Sequence, residues 1–381
     1  MKKVAFYIES MVLGGAERSL LDIVNRLDPT IFDITIISIF KNSVYQTAET
    51  YDFSSYVNEN VHVVTLVDNS NQFIYKTFNR FYAHTSISLI YSALIRDRYD
   101  IEVAFYEGMP TEFVANSSNK DSKKYAWLHT DNTPLYEGRQ SEFLKKQADI
   151  YRKYDGVIAV SNCVNESFKR FFPDIPCITI HNGIDRDRIR KLAEEECDIE
   201  KPKWITLITV GRLVRVKGYD RLLSALDRLK RKGFSFNLLM IGDGADRLEL
   251  ESRILQSGLS ENVMLLGKRD NPYKYFKCSD VFVCSSFVEG FGLAIAEAMS
   301  CGLPILTTEI PAVEEILGSR ENGIVCENSE EGIYHKIKEV LTDPKKLDGL
   351  CSLSLAQSEK FDISEQIQKI HNLFIQSEAG L

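Results

Sequence analysis

Two glutamates flank a glycine-containing turn in the segment FVEGFGLAIAEAMSCGLPIL. Glu289 precedes the turn Gly290-Phe291-Gly292, and Glu297 lies two turns into the apolar helix that the segment predicts. The glycines would let backbone N–H groups reach a phosphate at the N-terminus of that helix. A bare carboxylate is costly to bury, whereas Glu297 could accept hydrogen bonds from the hydroxyls of a sugar or a ribose. An exposed helix glutamate is the alternative.

A cluster of cations follows another predicted strand, in the segment VGRLVRVKGYDRLL. Arg212, Arg215 and Lys217 lie where this strand ends and a helix begins. Ligands of open parallel sheets bind beyond the carboxyl ends of the strands. Fixed cations at such a place suit a diphosphate, because its negative charge grows as it departs in a transfer reaction. Taken alone, the segment could also be a solvated basic turn.

Two further positions follow predicted strands in the N-terminal half. Gly14-Gly15 comes between the first strand and the first helix, where the backbone could approach an anion, although a simple turn is the alternative. The spacing is not G-x-G-x-x-G, which disfavours a dinucleotide-dependent dehydrogenase. His129 ends the strand of YAWLHTDN. A single histidine is more often structural than catalytic, so the position by itself leaves both roles open.

Alternating strand and helix patterns position these loops. Seven strands are predicted in the first half, at KVAFYI, FDITIISIF, VHVVTLV, IEVAFYE, KYAWLHT, DGVIAVS and CITIHNG. Six more follow a polar, charged stretch, at WITLITVGRL, FNLLMIGDG, NVMLLGK, DVFVCSS, LPILTT and NGIVCE. Helical patterns separate most of them. Such alternation predicts an α/β fold with two Rossmann-like, doubly wound parallel-sheet domains that face a cleft.

The predicted domains are residues 1–184 and residues 185–361. A length of 381 residues is consistent with two domains. Residues 362–381 contain the amphipathic segment DISEQIQKIHNLFIQ, with Ile363, Ile367, Ile370 and Phe374 on one face. We expect this helix to pack back on the N-terminal domain.

Composition narrows the class of protein. The net charge of −8 argues against nucleic acid as a partner. The eight cysteines form no C-x-x-C pair, and reduced thiols used as small apolar residues are expected. We find no signal-peptide pattern and no run of apolar residues long enough to span a membrane. These features predict a cytoplasmic enzyme.

A metal cofactor is not expected. Asp185-Arg186-Asp187 spells D-x-D, a pattern that can ligate a metal ion bound to a diphosphate. Here the pattern lies outside the predicted diphosphate loops, which favours coincidence. The histidines show no metal-ligand spacing. We therefore predict that the protein needs no cofactor.

Taken together, these segments resemble the retaining glycosyltransferases of family four, which have the GT-B fold. The matching segments, in order, are GGAERSL, the His129 segment, VSNCV, HNGID, VGRLVRVKG and the E-x₇-E pair, and they extend over essentially the whole chain. The catalytic residues that the resemblance implies are Glu289, His129, Lys217 and Arg212. The donor-binding residues that it implies are Gly15, Arg212, Lys217, Lys268, Arg269, Glu289, Gly290, Phe291, Gly292, Leu293 and Glu297.

The resemblance implies that residues 1–184 form the acceptor side and that residues 185–361 bind the nucleotide sugar. It also implies a role for each residue. Arg212 and Lys217 would bind the donor diphosphate. Glu289 would meet the transferred sugar, and Glu297 would hold the ribose hydroxyls. His129 would donate a hydrogen bond to the sugar or phosphate. Lys268 and Arg269, in LGKRDN, resemble the loop that binds the base.

The predicted function is metal-independent, retaining transfer of a hexose from a nucleotide diphosphate, with UDP favoured, to a glycan acceptor. A lipid-linked acceptor in capsule or O-antigen assembly is expected. No Asp or Glu nucleophile stands out in the N-terminal half, which fits a mechanism in which the departing phosphate acts as base. A GDP-mannose-dependent transferase, a nucleotide-sugar epimerase, a phosphorylase and a non-catalytic nucleotide-sugar-binding subunit remain alternatives.

Residues 73–98 carry the prediction about the membrane. The segment FIYKTFNRFYAHTSISLIYSALIRDR is predicted to be a helical stretch. It mixes the cations Lys76, Arg80, Arg96 and Arg98 with the aromatic residues Phe73, Tyr75, Phe78, Phe81, Tyr82 and Tyr91. This mixture suits the interface of an anionic membrane, and Lys145 and Lys146 begin a second basic cluster. Peripheral contact with the inner face of the cell membrane is therefore predicted. A domain helix with aromatics in the core and charges in solvent is the alternative.

Overall fold

The protein forms two compact units in the computed structural model, which describes residues 1–12, 14–42 and 53–376. The first unit contains Met1–Asn182 and the described residues from Ser364 onward, and the second contains Gly183–Ile363. The predicted boundary after residue 184 lies two residues beyond this division. Residues 377–381 of the predicted C-terminal helix lie outside the described residues.

The first unit contains a seven-stranded parallel sheet in the order β3-β2-β1-β4-β5-β6-β7. Its strands are β1 (Lys2–Ser10), β2 (Phe32–Phe40), β3 (Val61–Val67), β4 (Ile101–Ala104), β5 (Lys123–Leu128), β6 (Gly156–Ala159) and β7 (Cys177–Thr179). All residues of β2 except Asp33 are buried, as expected for a strand covered on both faces. The order changes direction at β1 and β4, so the loops after these two strands diverge.

Helices connect the strands of this unit. They are α1 (Gly15–Val24), α2 (Gln72–His84), α3 (Ile87–Leu94), α4 (Met109–Ala115), α5 (Thr133–Tyr136), α6 (Ser141–Tyr151) and α7 (Asn162–Phe171). The segment 73–98, expected to be one helical stretch, is divided between α2 and α3. Tyr91, grouped above with the membrane-facing aromatics, is buried and donates a hydrogen bond to the buried Glu102.

The second unit contains a six-stranded parallel sheet in the order β10-β9-β8-β11-β12-β13. Its strands are β8 (Thr206–Val210), β9 (Asn237–Ile241), β10 (Val263–Gly267), β11 (Val281–Cys284), β12 (Ile305–Thr308) and β13 (Ile324–Cys326). Central β8 and β11 pair in parallel, so the loops after them lie side by side. The two sheets confirm the predicted doubly wound α/β class.

The remaining helices are α8 (Arg186–Ala193), α9 (Tyr219–Arg231), α10 (Arg247–Gln256), α11 (Leu293–Ser300), α12 (Val313–Leu317), α13 (Glu330–Thr342), α14 (Leu350–Ser358) and α15 (Ile363–Gln376). Apolar residues of α9 recur at helical spacing and enter the core of the second unit. Phe374 of α15 packs against Phe6 and Phe32 in the first unit, with ring centroids 6.2 and 6.0 Å away. Within the described ranges, no helix is both long and apolar enough to cross a membrane.

Candidate active site

Lys217 and Glu289 form an ion pair in the second unit. Lys217 ends the 3-10 turn Arg215–Lys217 after β8, and Glu289 lies in the loop after β11. The Nζ atom is 2.6 Å from Oε1 and 2.9 Å from Oε2 of the carboxylate. Only 21% of the lysine side chain and 15% of the glutamate side chain are exposed. The pair therefore lies at the carboxyl edge of the sheet, where ligands of this fold class bind.

The charge of Lys217 follows from its surroundings. Burial acts to lower the pKa of Lys217, but the charge of Glu289 and its hydrogen bonds outweigh burial and raise that pKa overall. The lysine is therefore an ammonium ion at neutral pH. Because an ammonium has three N–H donors, Lys217 can bind an anionic ligand and keep its contact with Glu289.

Gly218 lets the Lys217 turn approach the neighbouring loop. It adopts φ of +62°, a conformation that favours glycine, and a Cβ there would overlap the carbonyl oxygen of Ser285. Ser285 in turn donates its Oγ–H to the carbonyl oxygen of Lys217 over 2.8 Å. The loops after β8 and β11 are thus fastened together beside the ion pair.

Two hydroxyl groups fix the Glu289 carboxylate. Ser286 donates to Glu289 Oε1 over 2.6 Å, and Thr308 donates to the carbonyl oxygen of Ser286 over 2.6 Å. Cys284 lies behind the carboxylate, and burial raises the pKa of its thiol, which is therefore neutral. Glu289 Oε1 thus accepts from Lys217 and Ser286, and more weakly from the Cys284 thiol, whose Sγ is 4.0 Å away.

Arg221 supports the same loop and was missed by sequence reasoning. Its Nε and Nη2 donate to the Ser285 carbonyl oxygen over 3.0 and 2.6 Å. The guanidinium lies 3.8 Å from the centroid of the Phe287 ring. A cation in the first turn of a surface helix looks like an ordinary solvated charge in the sequence, so only the fold reveals its partners.

Arg212 lies in the loop after β8 and is exposed. The path of this loop depends on Gly242 after β9, which has φ of +144° and whose Cβ would overlap the Gly211 carbonyl oxygen. Leu213 also donates its N–H to the Asp243 carbonyl oxygen over 2.9 Å. The two loops pack closely and present the Arg212 guanidinium to solvent.

The predicted phosphate turn precedes α11. Gly292 has φ of +92° and caps the helix, and its carbonyl oxygen accepts the N–H of Ile295. Phe291 is buried against Phe361, with ring centroids 5.1 Å apart, so its side chain anchors the turn. Gly290 and Leu293 are half-buried on either side. The backbone of this turn is therefore the part that remains able to contact a ligand.

Glu297 is held by a tyrosine from another segment. Tyr273 donates its hydroxyl to Glu297 Oε1 over 2.9 Å, and Glu297 is half-buried. The alternative of a fully exposed helix glutamate is wrong. Tyr273 begins the 3-10 turn Tyr273–Cys278 that follows β10.

The residues proposed for the base differ in their surroundings. Lys268 is exposed. Arg269 approaches Asp198 with its guanidinium 3.7 Å from the carboxylate, and Lys274 lies 3.5 Å from the same side chain. The Arg269 guanidinium also lies 5.9 Å from the centroid of the Tyr275 ring. Of the two cations predicted to bind the base, Arg269 thus already takes part in an ion pair within the protein.

His129 in the first unit follows β5 and is enclosed by rings. Its ring centroid is 4.7 Å from Phe105 and 5.2 Å from Tyr106. Burial lowers the pKa of His129 to about 3, although a hydrogen bond to the Phe105 backbone acts the other way. The imidazole is therefore neutral at physiological pH. Its Nε2 is buried and makes no hydrogen bond within the described residues.

Glu107, after β4, is the carboxylate that sequence reasoning missed in this unit. It accepts the backbone N–H groups of His129 and Thr130 over 2.8 and 2.9 Å. Burial raises the pKa of Glu107, and the hydrogen bonds from the backbone oppose that effect. Its position directly after a strand in IEVAFYEGMP was the available signal. Glu107 fixes the backbone that carries His129.

Gly15 is the exposed first residue of α1. The preceding Gly14 donates its N–H to Glu17 Oε2 over 3.0 Å, so a side chain of the protein already satisfies one donor beside this helix end.

The D-x-D residues have a local role. Asp185 caps α8 by accepting the N–H of Arg188 over 2.9 Å, and Asp187 is exposed in the first turn. In residues 1–12, 14–42 and 53–376, no group of three or more His, Cys, Asp or Glu side chains could hold a metal ion.

Comparison with known proteins identifies the family. The model of Glycosyltransferase Family 4 matches residues 13–188, and that of Glycosyl transferases group 1 matches residues 191–350. The chain is 26% identical over 369 residues to N-acetylgalactosamine-N,N'-diacetylbacillosaminyl-diphospho-undecaprenol 4-alpha-N-acetylgalactosaminyltransferase of Campylobacter jejuni, covering 95% of this chain and 96% of the relative. It is 27% identical over 181 residues to the capsular polysaccharide biosynthesis glycosyltransferase CapM of Staphylococcus aureus, covering 45% of this chain and 47% of the relative.

The fold has solved counterparts. HepE of Anabaena in complex with UDP and glucose superimposes with a TM-score of 0.75 at 20% identity, covering 99% of this chain and 100% of that one. A sucrose-phosphate synthase of Thermosynechococcus elongatus gives a TM-score of 0.78 at 16% identity, with both chains fully covered at 100%. These likenesses confirm the predicted fold, and the two family matches confirm the resemblance to glycosyltransferases of family four. The chain belongs to the family 4 type of glycosyltransferases, which have the GT-B fold.

Proposed function

We propose that this glycosyltransferase moves a sugar from a nucleotide diphosphate, with UDP preferred, to a lipid-linked glycan, and that the product keeps the anomeric configuration of the donor. The observation that carries the proposal is the Lys217–Glu289 pair, with Nζ 2.6 Å from Oε1 at the carboxyl edge of the second sheet. In a nucleotide sugar the diphosphate is attached directly to the sugar. A fixed cation beside a fixed carboxylate can therefore bind the diphosphate with the cation and the sugar hydroxyls with the carboxylate.

Lys217 and the exposed Arg212 would balance the diphosphate. As the glycosidic bond breaks, the leaving diphosphate gains negative charge, and a cation already in place stabilises that charge without reorganisation. The N–H groups at the start of α11 add further donors to phosphate. With these cations in place, no metal ion is needed to neutralise the leaving group.

Glu289 and Glu297 would bind hydroxyl groups of the donor. Glu289 is oriented by Ser286 and would accept hydrogen bonds from the transferred sugar. Glu297 would accept hydrogen bonds from the ribose. Lys268 and Arg269 would contribute to the base site, Arg269 in exchange for part of its contact with Asp198.

His129 would hydrogen-bond the sugar or a phosphate as a neutral imidazole, since burial keeps its pKa low. Glu107 accepts backbone N–H groups on the same loop, and this contact supports a positioning role for it in place of a nucleophilic one. Because Glu107 binds the backbone, we propose that the departing phosphate is the base that deprotonates the acceptor hydroxyl. The acceptor then attacks from the same face as the leaving group, and the anomeric configuration is retained.

The acceptor is proposed from the family and from the surface of the first unit. The Campylobacter jejuni relative is named for an acceptor on diphospho-undecaprenol. In this protein α2 has no buried residue. The fractions of Phe73, Phe81 and Leu89 that are exposed are 77%, 59% and 65%. Exposure of large apolar side chains in one region marks an interaction surface.

We define the α2–α3 surface as the exposed face of α2 and α3 together with the groove of about 660 Å³ beside β3. Apolar atoms of Leu66, Ile74 and Phe78 are among those that line the groove. Lys76, Arg80 and Arg96 are exposed on the same two helices and the turn after them. Apolar side chains with cations around them suit an anionic bilayer, which is the occupant we propose.

Sedimentation with vesicles tests this docking. Binding to anionic vesicles should fall steeply between low and high salt, and should weaken in a Lys76→Gln/Arg80→Gln/Lys145→Gln/Lys146→Gln variant. A Phe73→Ser/Phe81→Ser variant should weaken it at any salt. Lys345→Gln/Lys346→Gln, which removes two exposed cations from a turn of the second unit, is the control for loss of cations elsewhere on the surface. A wild-type protein that stays in the supernatant with all vesicles would point to a soluble acceptor.

A panel of nucleotide sugars tests the reaction. Release of free nucleotide is measured for UDP and GDP sugars, with and without a lipid-diphosphate sugar acceptor. We expect release that depends on the acceptor and is fastest with a UDP sugar. Faster turnover of GDP-mannose would show that the donor is GDP-mannose and not a UDP sugar. Epimerised nucleotide sugar, or no release with any donor, would contradict a transferase of this kind. We further propose that the protein acts at the inner face of the cell membrane, in capsule or O-antigen assembly.

A further inference from the structure

We propose that Tyr273 positions the Glu297 carboxylate for the hydroxyls of a ribose, and so makes the site select ribonucleotides over deoxyribonucleotides. The inference rests on the proposed function, in which Glu297 binds the ribose of the donor. It adds a residue from a different segment, since Tyr273 precedes Glu297 by 24 positions.

The contact between the two side chains is direct. The Tyr273 hydroxyl is 2.9 Å from Glu297 Oε1 and donates to it. The tyrosine is 7% exposed, and its ring packs against Phe276 with centroids 5.9 Å apart. A buried ring has few alternative rotamers, so its hydroxyl stays in one place. The donor is therefore more rigid than the glutamate that it holds.

The turn that carries Tyr273 is itself anchored. Asn271 accepts the Tyr273 N–H over 3.0 Å with its side-chain oxygen. The amide nitrogen of the same asparagine donates to the Leu192 carbonyl oxygen over 2.8 Å and to Glu195 over 2.9 Å. The end of α8 thus fixes Asn271, and Asn271 fixes the start of the turn.

This chain of contacts matters because a glutamate side chain is flexible. Immobilising a side chain with many rotamers at the moment of binding costs affinity, and a bond that orders it beforehand removes part of that cost. A carboxylate offers about four lone-pair positions, so accepting the Tyr273 hydroxyl leaves capacity for the two hydroxyls of a ribose. Loss of the tyrosine hydroxyl should therefore weaken the recognition of those hydroxyls in particular.

The same bond could instead be a structural link between the turn and α11. The two roles predict different measurements. A positioning role changes affinity for a ribonucleotide more than affinity for its deoxy counterpart. A structural link lowers stability or changes both affinities by the same factor.

Calorimetric titration of the full chain separates these roles. The probes are UDP, 2′-deoxy-UDP, GDP and 2′-deoxy-GDP. We expect the wild type to prefer the ribonucleotide of its base by about tenfold or more, as for a hydrogen bond to a charged group. Tyr273→Phe should reduce that preference to about threefold or less. Tyr334→Phe, which removes a hydroxyl from a buried tyrosine on α13, is the matched control and should keep the preference.

Glu297→Gln distinguishes failure of the inference from failure of the proposed function. If Glu297→Gln keeps the full ribose preference, the assignment of the ribose to Glu297 fails. If Glu297→Gln removes the preference and Tyr273→Phe keeps it, the inference about Tyr273 alone is overturned. Equal losses of both affinities in Tyr273→Phe, or a lowered melting temperature with unchanged preference, would also overturn it.

Discussion

Replacing Lys217 with alanine removes the cation that contacts Glu289. Coulomb's law gives the order of magnitude of the effect. At an effective dielectric constant of about 20, suited to a largely buried group, a unit charge about 4 Å from an ammonium contributes about 4 kcal/mol. Only part of a unit charge develops on the leaving diphosphate in the transition state. Removal of one preorganised donor from a comparable site costs about 10²–10³ in rate. We expect kcat/KM of Lys217→Ala to fall within this range.

The assay is nucleotide release at donor concentrations below KM. Arg228→Ala is the matched control, because Arg228 also pairs with a carboxylate in the second unit, 2.7 Å from Glu331, but on the exposed face of α9. Its activity should equal that of the wild type. Loss of the Lys217 ammonium leaves Glu289 with the Ser286 hydroxyl, so the cost in the free energy of unfolding should be about 1–3 kcal/mol. Thermal unfolding shows whether each variant is folded at the assay temperature.

A folded Lys217→Ala protein with activity within about threefold of the wild type would refute the reasoning, because a change that small is under 1 kcal/mol. Loss of activity in both Lys217→Ala and Arg228→Ala would also count against it, since it would show that any cation of the unit has the same effect.

Three further predictions follow from the site. Activity should persist in excess EDTA because Arg212 and Lys217 balance the diphosphate; activity lost in EDTA and restored by Mn²⁺ or Mg²⁺ would make Asp185 and Asp187 candidate ligands again. The product should keep the anomeric configuration of the donor, α from an α-linked donor, and a β-linked product in its NMR spectrum would exclude retention. Because burial lowers the pKa of His129 from 6.5 to about 3, the unfolded chain takes up this proton first as pH falls. The contribution of His129 to the free energy of unfolding should therefore decline from about pH 6.5 towards pH 3, by at most about 1.4 kcal/mol per pH unit. Chemical denaturation should show a shallower loss of stability in His129→Gln over this range, and equal slopes in both proteins would contradict the burial argument.

The strands were predictable because buried parallel strands are continuous apolar runs. FDITIISIF became β2 and DVFVCSS contains β11. The sequence also indicated that Lys217 and Glu289 each lie in a loop that follows a strand. That these two strands are neighbours, which brings the residues together, is shown by the fold.

Contacts between distant side chains were not predictable. Tyr273 belongs to a different segment from Glu297, and no local spacing connects the two. Glu107 lies alone after its strand, and its role depends on the backbone of His129, which only the folded sheet brings near. Arg269 resembled a base-binding cation, but Asp198 lies beside it in the fold.

The exposure of the aromatic side chains of α2 was also not predictable from the sequence. The pattern of α2 predicts an amphipathic helix, but the exposure of an apolar face depends on what packs against it. Tyr75 and Phe78 contact Phe40 of β2, with ring centroids 5.5 and 5.4 Å away, whereas Phe73 remains exposed.

A crystal structure of the protein with UDP tests the central claim most directly, because it locates the diphosphate relative to the Lys217–Glu289 pair. We predict a phosphate oxygen within about 3 Å of Lys217 Nζ, and ribose hydroxyls within about 3 Å of the Glu297 carboxylate. UDP bound elsewhere, with the Lys217–Glu289 pair unchanged and solvent beside it, would contradict the account.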